Sequence, residues 1–127
     1  MFGDARMGGV PFWCPTDIHR AMKINKAAGS VFLHGQFMDD IGLSVSPAAE
    51  VHWFREKKRA VITLVNNTAS AQTYNVRLDL KQWSTGGYPK YAIALASGDK
   101  LSFKNLNNVL SFSVSVPAGQ VDAISIR

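Results

Sequence analysis

From Glu50 onward the chain alternates apolar and polar side chains, a period of two that fits strands with one dry face and one wet one. Tyr74, Val76, Leu78 and Leu80 interleave with Asn75, Arg77 and Asp79. Leu110, Phe112, Val114 and Val116 interleave with Ser111, Ser113 and Ser115. Glu50 to Arg55 sets Val51 and Trp53 against His52 and Phe54, and Ala60 to Val65 is a dense aliphatic run. Glu56-Lys57-Lys58-Arg59 reads as the hairpin between the two. Tyr91, Ile93 and Leu95 mark another strand, Leu101 and Phe103 a short segment, and Val121 to Ile126 the last. Turn clusters at Asn66 to Ser70, Ser84 to Pro89, Ser97 to Asp99, Asn105 to Asn108 and Pro117 to Gly119 separate them. Short strands at this spacing, with no helix between them, predict an all-β fold. The expectation is an antiparallel β-sandwich of six to eight strands over residues 46–127, with a short N-terminal helix ahead of it.

Residues 1–45 read differently. Gly3, Gly8, Gly9, Pro11 and Pro15 punctuate a loop, and Thr16 or Asp17 offers an N-cap. Ile18, Ala21, Met22, Asn25 and Ala28 share one face of a helix that Gly29 would end. The stretch FLHGQFMDDIGL, Phe32 to Leu43, then reads as a seam: a first extended segment that turns at Asp39 to Gly42, where Gly42 supplies an unusual φ. The expected organisation is an N-terminal loop, helix and connecting segment packed on the sandwich.

Hydrophobic residues make up 46% of the 127 and charged residues 18%, a balance that folds rather than stays disordered. The net charge of +5 is dispersed, and its one tight basic cluster falls in a hairpin turn, so no nucleic-acid interface is expected. No apolar run approaches the ~20 residues of a membrane helix. Cys14 is the only cysteine, which excludes an internal disulfide and a cysteine-rich metal site; it reads as structural. The first twenty residues or so carry Gly, Asp and Pro where a signal peptide needs an unbroken apolar core.

Several residues carry candidate chemistry. Asp39 and Asp40, with Glu50 and a histidine, could serve a compact polysaccharide hydrolase, but such chemistry needs two carboxylates facing each other across a scissile bond, and adjacent strand residues point apart. A turn is the better reading, so no catalytic residue is assigned. His19, His34 and His52 with Asp17 or Asp39 match no ligand spacing, so neither a metal nor a cofactor is expected. The aromatics are the functional lead: Trp83, Tyr88 and Tyr91 surround a glycine-containing loop and Trp13 lies in a Pro-flanked one, where ring faces could stack on sugars. Against that stands burial, with Trp53 in the core and Trp83 and Tyr88 closing the end of the sandwich. Asn66-Asn67-Thr68 also fits an N-glycosylation acceptor.

HRAMKINKAAGSVFLHGQFMDDIGL, VITLVNNTASAQTYNVRLDL and SFSVSVPAGQVDAISIR, in that order, resemble the C-terminal end of glycoside-hydrolase-like chains. In those chains the last helix of a (β/α) barrel leads into a small antiparallel sandwich. The resemblance implies a non-catalytic accessory domain that caps a neighbouring catalytic barrel; the alternative, carried by Trp83, Tyr88 and Tyr91, is a carbohydrate-binding module for a polysaccharide. It implies a secreted or periplasmic setting where the whole is a larger glycosidase. A sandwich parted from its barrel should expose the apolar patch the barrel covers, and could form a homodimer through it.

Overall fold

A computed structural model describes residues 15–56, 58–82 and 89–127. Among them are one α-helix, α1 (Pro15–His34), and ten strands: β1 (Gln36–Asp39), β2 (Leu43–Ser46), β3 (Glu50–Arg55), β4 (Ala60–Val65), β5 (Gln72–Asp79), β6 (Ala92–Ala94), β7 (Asp99–Leu101), β8 (Phe103–Leu106), β9 (Val109–Val116) and β10 (Val121–Ile126). The strands form two antiparallel sheets, ordered β1-β3-β4-β10-β6-β7 and β2-β5-β9-β8. The sandwich read from the alternation is the observed fold. Two short strands come from the seam, and the Leu101–Phe103 segment is divided between sheets at Ser102.

The alternating residues meet where the period placed them. Val51, Trp53, Ile62 and Leu64 from one sheet pack against Tyr74, Val76, Leu78, Leu110, Phe112, Val114 and Val116 from the other. Trp53 is fully buried, and its Nε1–H donates to the Ile41 carbonyl at 2.8 Å, so the core holds the turn between β1 and β2 in place. That turn carries the chain from one sheet to the other, with Gly42 at φ 71. Asn107 and Asn108, both at positive φ, make the two-residue turn between β8 and β9, a conformation that asparagine tolerates better than most residues.

β10 is buried on both faces. Ile124 and Ile126 enter the sandwich core, while Ala123 joins Val61 and Ala96 under α1. The helix lays Ile24, Ala28 and Val31 on this small-residue floor, the i, i+4, i+7 spacing of one helical face. One turn before Ile24, Arg20 reaches the carboxylate of Asp122 at 3.3 Å and donates through Nε to the Val121 carbonyl. Burial pushes the Asp122 carboxyl up, against the pull of the Ala123 and Ala96 amides and Arg20. Arg59 adds a second tie, from Ser125 Oγ at 2.9 Å to the Ala27 carbonyl at 2.9 Å.

The helix corrects the expected one in three respects. It already runs through Thr16 and Asp17, so neither caps it, and it passes through Gly29 to His34. Its buried face is turned away from the expected one: Asn25 is exposed and Met22 is 63% exposed. The true stop is Gly35, whose amide donates to the Val31 carbonyl at 2.7 Å. A Cβ there would lie 2.5 Å from that carbonyl oxygen and 3.2 Å from that of Arg55, where two chain segments cross. The glycosylation reading is overturned as well. Asn66 is fully buried, and its Nδ2 donates to the carbonyls of Ser70, Val116 and Pro117 at 3.0, 2.8 and 3.2 Å. Its Oδ1 accepts from the Thr68 amide and hydroxyl, which makes Asn66 the knot of the β4–β5 turn.

Candidate functional site

The outer face of the six-stranded sheet, beyond the C-terminal end of α1, gathers the chemistry that the sequence scattered. On β3, Val51 and Trp53 point inward, which turns His52 and Phe54 outward. β1 pairs with β3 through a register shift between Phe37 and Asp39. Such a bulge re-aims side chains at a sheet edge. Asp39 sits there at φ 53 and brings Oδ1 to within 2.7 Å of His52 Nδ1. Glu50, two residues before His52 on the same strand, approaches Nε2 at 3.3 Å. The hydrogen bond that the ring donates to Asp39 is the largest influence on the imidazole and raises its pKa above 6.5, with partial burial opposing it and Glu50 adding to it.

This arrangement defines what the cluster can do. Each ring nitrogen faces a different carboxylate, so the three groups cannot turn their donors toward one ion, and no other set of three metal-ligating side chains is grouped among the described residues. A glycosidase needs its carboxylates on opposite sides of a sugar, whereas here an imidazole fills the space between them. Both acids are more than half exposed, at 58% and 68% of their side chains. Asp40, the other half of the sequence pair, is exposed in the turn, where its carbonyl accepts from the Leu43 amide.

An aromatic strip adjoins the cluster. The Phe37 ring lies 5.8 Å from that of His52 and 5.2 Å from that of Phe54, which in turn meets Phe32 of α1 edge-on at 5.0 Å. Phe37 is nevertheless 55% exposed. The sequence names Asp39, Glu50 and His52 among its candidates but not their meeting, because only the β1–β3 register brings residues 39 and 52 together.

The four-stranded sheet presents a different outer face. Asn75, Arg77, Lys104, Ser111 and Ser113 line an open depression of about 520 Å³, in which Ser113 Oγ donates to Asn75 Oδ1 at 2.7 Å. A second depression, of about 780 Å³, lies beside Lys81, Pro89, Asn105, Asn107 and Asn108. Of the aromatics put forward for stacking, Trp13, Trp83 and Tyr88 lie outside the described residues, as does Cys14. Tyr91 is half-buried, with its backbone bonded in both directions to Arg127.

No family model and no curated protein matches this chain. Among solved structures, the Thermotoga maritima α-fucosidase in complex with a mechanism-based inhibitor is similar over 80% of this chain and 23% of its own, with 14% identity and a TM-score of 0.51. Two further structures of that enzyme, one of them in complex with fucose, align over 67% of this chain at 15% identity and a TM-score of 0.44. The chain therefore spans less than a quarter of the length of the fucosidase chains it matches, and what it shares with the inhibitor complex is the fold.

Proposed function

We propose that this chain is a non-catalytic accessory β-sandwich of a glycoside-hydrolase-related protein, serving to cap and stabilise a neighbouring catalytic unit. The observation that carries the reading is the fold likeness to part of an α-fucosidase, which takes in 80% of this chain. The surface chemistry supports it: the carboxylates that come together, Asp39 and Glu50, are spent on one imidazole, and Met22 and Leu33 of α1 and Phe37 of β1 are apolar side chains left open on the surface. An accessory role needs a broad contact face, not a converging acid and base.

The test is to incubate the purified chain with soluble and insoluble polysaccharides and with nitrophenyl glycosides, fucoside included, recording both material retained and sugar released. The accessory reading expects neither. Retention without release, lost in Trp83→Ala or Tyr88→Ala, would make the chain a carbohydrate-binding module instead. Release that survives repurification, and is lost in Asp39→Asn, would overturn both readings.

A further inference from the structure

The side of α1 turned away from the sheet is unusual for a face that meets only water. At about 100° per residue, Met22, Lys26, Gly29 and Leu33 fall within roughly 60° of one another, opposite Ile24, Ala28 and Val31. A surface helix carries polar residues there, yet Met22 is 63% exposed and Leu33 80% exposed. Gly29 adds an independent sign. A glycine inside a helix costs about 1 kcal/mol relative to alanine, and a Cβ built on Gly29 meets nothing within 4 Å. Among the described residues, nothing makes use of the missing methyl group. A second backbone packed against α1 would, because glycine on a helix surface allows the closest interaxial approach.

The charges around this face select the occupant. Lys23 and Lys26 are exposed on its border, and the only carboxylate in the sequence of α1 is Asp17, in the first turn. A second copy of the chain packed parallel across Gly29 would set these lysines against each other, and one packed antiparallel would set them against Phe32 and Gly35, so neither supplies a carboxylate from its α1 to face them. We propose that this face of α1 docks a helix of a neighbouring folded unit, packed close over Gly29 between Met22 and Leu33, with carboxylates opposite Lys23 and Lys26. The inference rests on the accessory reading only in taking that neighbour to be the unit the sandwich accompanies.

Fluorescence anisotropy can test it with a labelled amphipathic peptide of leucine, alanine and glutamate, about five turns long, compared with its lysine-for-glutamate counterpart. The acidic peptide is expected to bind at least about tenfold more tightly than the basic one. Gly29→Leu should abolish that binding, and Lys23→Glu with Lys26→Glu should reverse the preference. Thermal melts of each variant separate lost binding from lost fold, and Leu33→Ser provides a second disruption of the face should Gly29→Leu unfold. Equal affinity for the two peptides, no binding of either, or binding indifferent to both Gly29→Leu and Leu33→Ser would overturn the proposal. A concentration-dependent dimer in sedimentation that Leu33→Ser disperses would also overturn it, assigning the face to a second copy. Sugar release in the polysaccharide assay would remove the accessory reading and leave this test standing, whereas failure here would remove the docking face alone.

Discussion

Asn66 shows how much one side chain can hold at a turn. Its amide supplies donors to three backbone carbonyls from two segments, and all of it is out of water. Removing one partner of a buried hydrogen bond leaves the other desolvated and unpaired. Asn66→Ala is therefore expected to lower unfolding stability by about 2 kcal/mol in urea melts, and Asn66→Asp by more, because a carboxylate would face the same carbonyls. His52 makes a different prediction, one about pH. Its folded pKa is raised above 6.5, so its contribution to stability is complete below 6.5 and is lost as the pH climbs through the raised value. Denaturant midpoints measured across neutral pH should fall through that window, and the fall should flatten in His52→Gln and in Asp39→Asn. A titration of the His52 ring by NMR that stays at or below 6.5 would contradict it.

The elements differ in how far the sequence reveals them, and for physical reasons. β5 and β9 are legible because Tyr74–Leu78 and Leu110–Val116 alternate over full-length strands with one wet face, and that face is the open side of the four-stranded sheet. β1 and β2 are not, since each has four residues and the chain changes sheets between them, which no local period records. The sequence predicts too short a helix because Gly29 looks like a stop, while the residues that fix its true register, Val31 and Ala28 against Ala123, are set by tertiary packing. The residues of the candidate site are named in the sequence but their geometry is not legible there, for a related reason: residues 39, 50 and 52 become one cluster only through strand pairing and a bulge. The two helix glycines should answer to alanine with opposite signs. Gly29→Ala is expected to raise the stability of the isolated chain by about 1 kcal/mol, and Gly35→Ala to lower it, since its methyl would collide with the Val31 carbonyl. Thermal melts of the two variants check both.

At the scale of the whole molecule, one ion pair does much to seat the helix on the sandwich. Arg20 is the partner of a nearly buried Asp122, and taking away one member of such a pair leaves a charge with no compensation. Arg20→Ala is expected to cost about 3 kcal/mol at neutral pH. The sign with pH follows from the raised carboxyl. Its charged form is the one the fold disfavours, so the penalty grows as pH rises from 3.8 through the folded value, and fades below 3.8 where both states are protonated. Urea melts of both chains at acidic and neutral pH compare the two regimes. The site of that carboxylate, β10, has a wider consequence. It lies between β4 and β6, so the six-stranded sheet is two unjoined halves until Val121–Ile126 arrives. During synthesis these residues follow every other strand among the described residues, and a ribosome still holding them inside its exit channel holds a chain with open strand edges on both sides of the gap. The six-stranded sheet then closes only when these residues join it, and a chain stalled before them is a substrate for chaperones and proteases.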